Sequence, residues 1–565
     1  MAQREYNKLF VGGDLSGIQK FLYNITSRKA AVSLKGRSAT LSEDMREIYY
    51  AKTKDAIIKA GGVIREEDEL YCSGGKFFLI ASYGGENYQK ICDSIDKCQK
   101  ECREQIWKEH RGQLGINICY VAFNEENDIV NVEGKYGEPP FEGKEKGPGQ
   151  LWKVVSAGFA QQKNQRFKEY ILKNYNDFFG KGSELIMSSE RKVCAVTGIE
   201  FDVKGLKEED YTIPAKDEDD EAIIVLPSVK RQIEKGEQLR NDPQKGFKTF
   251  EAYATTDDGL QKQVKGNTYL AVLRMDVDGL GKRFIKGFNS LDEYKNFSKR
   301  LVEFFEKSIE NDLLPEHVDK FLSLTEEQKK TYKKKNYKKF MNIIYAGGDD
   351  LFIIGRWDKV IDFAKFIHQE TIAHFPTEGI SISGGIAMVK PKYPIAKAAE
   401  MAGEAEDAAK QGEKNAFNMF GRTISWDKKK PFMGGKYEHE YDYVSYYKDK
   451  FVEYISKYNK DYGFSKSILH KIMHYSEIAD MNIERESKGK AKNYSYMWHI
   501  SYYMTRFMDK FKNYDNDNAK KTLYDFCHSL RDDHLLKNNG RNLQLLAVAA
   551  RWAELLLKDQ DNNNQ

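Results

Sequence analysis

Apolar and polar positions along this chain follow two periods in turn. Short, nearly continuous apolar runs closed by glycine alternate with longer stretches of helical spacing. Residues 7–13, Asn-Lys-Leu-Phe-Val-Gly-Gly, predict a strand ending in glycines, and after Asp14 the segment Ser16-Gly17-Ile18-Gln19 opens a helix. A further helical stretch runs from about residue 39 to 60. Tyr71 to Ile80 holds an apolar strand behind the tight turn Ser73-Gly74-Gly75-Lys76, a hairpin signal. Residues 88–108 read as helix and 115–123 as strand. Strand, helix, hairpin, helix, strand is the order of a ferredoxin-like domain.

The same order then recurs. Tyr269 to Met275 predicts a strand ending at Asp276, and 291–312 a helix. Ile343 to Ala346, the turn Gly347-Gly348-Asp349-Asp350 and Leu351 to Ile354 make a second hairpin. A helix at 358–372, a strand at 380–389 and an alanine-rich helix at 394–410 follow. Glycine, proline and lysine cluster at 134–149, residues 150–180 read as helix, and the acidic stretch 206–222 reads as loop or linker. From about 435 to 560 apolar and charged residues alternate at helical spacing. The expected fold is therefore α+β. Two ferredoxin-like, palm-like domains, at 1–149 and 266–428, flank a helical linker domain at 150–265, and an α-helical bundle closes the chain at 429–565.

Composition narrows this little. The 565 residues suffice for several cores; hydrophobic residues make up 40% and charged residues 31%, as in soluble globular chains. A net charge of +4 neither demands nucleic acid nor excludes basic patches. The seven cysteines form no Cys-x-x-Cys pair, so neither a disulfide framework nor a structural zinc site is expected. No uninterrupted apolar stretch of about 18 residues occurs, so a cytoplasmic protein with no membrane partner is expected.

The chemistry lies in the second repeat. Asp276 and Asp278 close a buried strand, and Asp349 and Asp350 stand on the hairpin turn. In a βαββ fold these elements are neighbours, so the carboxylates converge on one sheet edge. Clustered carboxylates repel one another, and burial raises the cost. A hard divalent cation, Mg²⁺ or Mn²⁺, removes it and keeps places for phosphate oxygens. Two such ions can clamp an in-line displacement at phosphorus. Gly347 and Gly348 would let the backbone approach a triphosphate where a Cβ would intrude. Lys410 and Lys414, four apart at the end of the last helix, are candidates for its β- and γ-phosphates, although a solvated helical face also fits them.

Several ordered motifs resemble the large palm-containing subunit of type III CRISPR effector complexes. They are Gly13-Asp14-Leu15-Ser16-Gly17-Ile18-Gln19-Lys20-Phe21, Leu34-Lys35-Gly36-Arg37-Ser38, Ser73-Gly74-Gly75-Lys76-Phe77-Phe78, Met275-Asp276-Val277-Asp278-Gly279-Leu280-Gly281, Ala346-Gly347-Gly348-Asp349-Asp350 and Ser383-Gly384-Gly385-Ile386-Ala387. The resemblance implies that guide RNA pairing with target RNA activates the palm pair. ATP is then joined into cyclic oligoadenylates, within a complex of backbone and small subunits. It implies that Asp276, Asp349 and Asp350 hold the metals. Asp278 is the weaker candidate, because it can instead cap the turn at Gly279. Ser16, Gln19 and Arg37 are implied to line a nucleotide pocket in the first palm, whose hairpin sets Lys76 and Phe77 where the second has aspartates. Many members also carry a His-Asp nuclease domain and four zinc cysteines. This sequence holds no His-Asp dipeptide, and Cys194-Ala195-Val196-Thr197-Gly198 looks like a remnant of one zinc knuckle. Neither DNA cutting nor zinc is therefore expected.

Other readings remain. The same palm could join AMP to a small acceptor such as S-adenosylmethionine, or the chain could be a non-catalytic scaffold for RNA. A diguanylate cyclase is disfavoured because Leu351 follows Asp350. The run 329–339, eleven residues rich in lysine with interleaved tyrosines, suits either RNA phosphates or a solvated loop. Tyr494, Tyr496, Trp498, Tyr502, Tyr503 and Phe507 fit a core or subunit interface better than base stacking.

Overall fold

The computed structural model describes residues 6–25, 29–126, 129–133, 135–136, 147–165, 167–175, 191–215, 221–242, 246–256, 268–313, 339–412, 414–426, 439–491, 495–514, 517–535 and 540–561. Two sheets dominate. In the first, five antiparallel strands lie in the order Glu69–Ser73, Lys76–Ser82, Lys8–Ser16, Gly115–Glu126, Ile129–Val132. In the second, six lie in the order Met341–Gly347, Asp350–Arg356, Leu270–Val277, Ile382–Val389, Ala416–Met419, Arg422–Ser425. Only the pairing of Ile382–Val389 with Ala416–Met419 is parallel. Each sheet thus sets its first strand between a hairpin and the last strand of the repeat, as the βαββ order requires.

Central strand Leu270–Val277 is apolar on both faces because both are covered. Ala271, Leu273, Met275 and Val277 share a core with helix Trp357–His374. Leu270 and Val272 share the opposite core with helix Ile395–Lys410. The two sheets interlock through these cores: Leu9, Val11 and Leu34 of the first repeat join the Leu270 side, while Phe10 and Phe78 join the Ala271 side. Polar ties cross as well, with Lys35 donating to the Ile343 carbonyl at 2.7 Å and Lys295 to Asp68 at 3.1 Å.

One helical segment begins earlier than the sequence pattern suggests, at Ala30, and continues through a wide turn at Asp44–Tyr50 to Lys59. Its first turns hide from a periodicity count because Ser33, Arg37, Ser38 and Thr40 are buried there. Helix Pro227–Arg240 crosses it at two glycines: a Cβ on Gly36 would lie 1.8 Å from the Gln232 carbonyl oxygen, and one on Gly236 would lie 2.1 Å from that of Val32. Within the stretch read as a helical linker, Arg191–Val193 pairs with Glu200–Asp202 and Thr212–Ile213 with Ile223–Ile224. Strands of two or three residues leave no period to read.

The C-terminal region is helical, with Glu440–Tyr462, Ser467–Ser487, Ser495–Met508, Asn518–Ser529 and Arg541–Asp561. The last of these packs against the first two. Its aromatic group divides: Tyr496 and Phe507 are buried, whereas Trp498 and Tyr502 are 60% and 59% exposed. Tyr494 and residues 329–338 of the basic run lie outside the described residues. Among the described residues, no helix is long and apolar enough to cross a membrane.

Candidate active site: three carboxylates facing a second sheet

Asp276 is the penultimate residue of its strand. Its register partners are Asp350 on one side and Ser383 on the other. Asp349 occupies the turn, and its carbonyl accepts from the Val277 N–H at 3.2 Å. One carboxylate oxygen from each of Asp276, Asp349 and Asp350 lies within 4.8 Å of the others. Burial, then the charges of Asp349 and Asp350, pushes the Asp276 carboxyl up to about 8. Burial and Asp349 raise Asp350 as well. Such a cluster calls for positive charge. Lys410 supplies some, binding Asp276 directly and Glu406 at 2.6 Å, and Glu406 in turn takes Arg274 at 3.0 Å. Three hard oxygen donors converging under mutual repulsion fit Mg²⁺ or Mn²⁺.

Asp278 is not the fourth member. One of its oxygens accepts from Ser381 Oγ at 2.8 Å, Ser383 Oγ at 2.9 Å and the Asn415 N–H at 2.9 Å. It ties the strand end to the loop beyond Lys410 and so supports the site from behind. Lys414 does not share a face with Lys410. The helix ends at Lys410, and Lys414 is exposed in the left-handed region at φ +58°.

The hairpin glycines also serve a different neighbour from the one expected. A Cβ on Gly348, at φ +71°, would meet the Tyr71 hydroxyl at 2.7 Å, and Gly347 faces Gly74. The two hairpin turns therefore meet tip to tip, and the space is taken by the first sheet.

Register in the first sheet corrects the correspondence of the hairpins. Ser73 pairs with Lys76 as Gly347 pairs with Asp350, and Asp14 faces Lys76 as Asp276 faces Asp350. Gly75 and Lys76, not Lys76 and Phe77, stand at the positions of Asp349 and Asp350. Phe77 is fully buried on the other face.

Of the residues expected to line a nucleotide pocket here, two have other work. Arg37 is fully buried, donates to the carbonyls of Phe21 and Asn24 at 2.7 and 2.9 Å, and so closes helix Ile18–Tyr23. Ser16 is buried and donates to the Gly115 carbonyl at 3.0 Å. Gln19 is exposed on that short helix. A cavity of about 360 Å³ lies between the sheets instead. Its charged groups are Asp14, Lys76, Lys163 and Asp349, and Phe78 and Trp152 are among its aromatic walls. Burial raises the Asp14 carboxyl, against the pull of Lys76 and Lys163. The sequence reading missed Asp14 and Lys163 as site residues. Asp14 was open to detection, because it ends the first strand of its repeat as Asp276 does. A larger cleft, about 880 Å³ between the second sheet and the helical region, holds none of the three aspartates. Cys194 is buried in a turn where Gly198 N–H donates to its carbonyl.

Comparisons with known proteins match both repeats. The family description of the second palm domain of Cas10/Cmr2 matches residues 269–418, and that of Csm1 subunit domain B matches residues 7–180. A curated relative from Enterococcus italicus, a CRISPR system single-strand-specific deoxyribonuclease Cas10/Csm1 of subtype III-A, is 26% identical over 522 residues. The match covers 84% of this chain and 61% of the relative, so the chain spans about three fifths of that relative's length. A Csm1–Csm4 cassette solved with one ATP has the same fold at a TM-score of 0.57 and 18% identity, over 97% of this chain and 70% of that one. A cassette solved with cA4 does so at 0.53 and 17%, over 96% and 70%.

Proposed function

This chain belongs to the Cas10/Csm1 family of type III CRISPR large subunits, and from that premise we propose that it joins ATP into cyclic oligoadenylates through 3′–5′ links with release of pyrophosphate. The observation that carries the proposal is the convergence of Asp276, Asp349 and Asp350 beside an aromatic-walled cavity between the sheets that holds Lys76 and Lys163. Relatives of this fold were solved with ATP and with cA4, which supports ATP as substrate and a cyclic product.

Asp276, Asp349 and Asp350 would hold a pair of Mg²⁺ or Mn²⁺ ions, which when bound supply Lewis acidity at the α-phosphate and ease ionisation of the attacking hydroxyl. The cavity takes the acceptor nucleotide. Its base packs on Trp152 and Phe78, and Lys76 and Lys163 offset phosphate charge. Asp349 borders both the cavity and the carboxylate cluster, so an acceptor seated there has its 3′-hydroxyl beside the donor's α-phosphorus. Alignment of this kind contributes several kcal/mol to lowering the barrier. Lys410 now neutralises Asp276 and is free to turn to the donor's phosphates once cations take over that task. Asp278, with Ser381 and Ser383, keeps the strand end fixed meanwhile. Target RNA paired to guide RNA is the proposed activator, within a complex of backbone and small subunits. The Csm1–Csm4 cassettes solved for relatives supply the precedent for a protein partner.

The test is mass spectrometry of the products made from ATP by the reconstituted, target-bound complex. Asp349→Ala combined with Asp350→Ala is expected to abolish nucleotide product and to leave RNA binding intact, because neither side chain packs a core. A normal yield from the double variant removes the assignment.

A further inference from the structure

The two hairpin tips touch, and the contact is specific. Gly348 N–H donates to Ser73 Oγ at 2.9 Å, a buried hydrogen bond linking residues 275 apart in sequence. Ser73 is 5% exposed. The Tyr71 hydroxyl, beside Ser73, lies over Gly348. Gly74, at φ +59°, completes the joint: a Cβ there would come within 2.9 Å of the Gly347 carbonyl oxygen and 3.1 Å of the Gly348 Cα. No side chain of the second sheet is needed to satisfy the Gly348 amide, because the first sheet satisfies it.

This amide belongs to the residue immediately before Asp349. A two-residue turn has few ways to hold its backbone, since glycine at its first position leaves that residue conformationally free. An outside acceptor on the Gly348 N–H limits this freedom by fixing the Gly347–Gly348 peptide, one residue before Asp349. Flanking ties hold the first hairpin itself in place: Asp68, next to its outer strand, takes Lys295 at 3.1 Å, and Arg46 binds Glu306.

We propose that Ser73, oriented by Tyr71, is a positioning residue for the metal-binding turn, so that the hairpin lacking metal carboxylates sets the geometry of the one that has them. This rests on the reading of Asp276, Asp349 and Asp350 as the metal ligands. The first sheet then has two tasks: it walls the acceptor cavity and it holds Asp349 at the angle that a cation requires. Displacing the first hairpin loosens the carboxylate cluster without any change in the second sheet's own sequence.

Mn²⁺ binding to the purified full chain, followed by electron paramagnetic resonance without nucleotide, tests this apart from turnover. Loss of the signal in Asp349→Ala identifies the site. Ser73→Ala is expected to weaken Mn²⁺ binding by about ten-fold, the scale found when a partner that orients a metal ligand is removed. Ser73→Thr keeps the hydroxyl and is expected to stay within about two-fold of wild type, by the same reasoning. Equal affinity in wild type and Ser73→Ala overturns the proposal, as does an equal loss in the Ala and Thr variants, which assigns the effect to packing. Should Ser73→Ala fail to fold, Tyr71→Phe decides: weaker binding supports the joint and wild-type binding overturns it. Wild-type chain that binds Mn²⁺ at the aspartates yet yields no nucleotide product sinks the proposed activity and leaves the Ser73 comparison decisive. Wild-type chain that binds no Mn²⁺ there sinks both.

Discussion

Single residues in this protein are often explained by what they touch across the fold rather than by their motif. Arg37 sits in one of the motifs on which the family resemblance rests, yet its guanidinium closes a helix end from inside the core. Glu370 is the opposite case, a residue no motif marks. It is fully buried in helix Trp357–His374, neither carboxylate oxygen has a hydrogen-bond partner among the described residues, and His374 Nδ1 lies 4.0 Å away. Burial pushes its carboxyl up to about 8. Below the ordinary carboxylate range it is protonated whether folded or unfolded, and it adds no pH-dependent cost. As pH rises from about 4.5 towards 8 the unfolded chain releases the proton and the folded chain keeps it, so stability falls by up to about 1.4 kcal/mol per pH unit. Urea unfolding of wild type against Glu370→Gln at pH 5, 6.5 and 8 checks this. The wild type is expected to lose ground to the variant as pH rises, whatever fixed cost the amide brings. A difference that does not change with pH removes the argument.

At the scale of elements, glycines decide which pieces can approach. Helix Ala30–Glu43 and helix Pro227–Arg240 touch backbone to backbone at Gly36 and Gly236. Glycine costs helix propensity, roughly 1 kcal/mol against alanine, and here the closeness of the crossing outweighs that. Gly36→Ala improves local propensity, but its Cβ would lie 1.8 Å from the Gln232 carbonyl oxygen. The helices must part, and overpacking of this kind typically costs about 1–3 kcal/mol. Thermal unfolding is expected to show a lower midpoint for Gly36→Ala, whereas a raised one would mean that propensity outweighs the crossing. Hairpins follow the same rule, since Gly74, Gly347 and Gly348 are small because another hairpin stands against them.

For the whole molecule, the repeat is the organising fact. Two sheets of like order meet so that one presents carboxylates and the other a cavity with two lysines and one partly neutralised aspartate. Lys76→Ala combined with Lys163→Ala removes the cavity's positive charge while leaving the cluster intact. Turnover of ATP is expected to fall at least about ten-fold, because misalignment of one reactant costs that much or more. ATP binding that depends on Asp349 and Asp350 should persist. Titration and turnover on the same variant separate the two effects, and unchanged turnover would make the cavity a bystander.

The sequence by itself determined the main elements of the two repeats, their order and the approach of three aspartates to one sheet edge. Periodicity is a local property, and Asp276, Asp349 and Asp350 end apolar strands whose pairing the βαββ order dictates. It also exposed the repeat, from which Asp14 could have been placed opposite Lys76. Only the tertiary structure decided which polar residues face the site. Ser16 and Arg37 turned inward because nearby carbonyls, of Gly115, Phe21 and Asn24, needed donors. Asp278 left the cluster because two serines and an amide outcompeted a place beside three like charges. Lys163, Trp152 and Ser73 reach the site through contacts between elements distant in sequence, such as the 275 residues between Ser73 and Gly348. Hydrogen-bond demand and charge repulsion are settled among neighbours in space, and a chain's pattern of apolar positions records only which face is buried, not which neighbour it meets there.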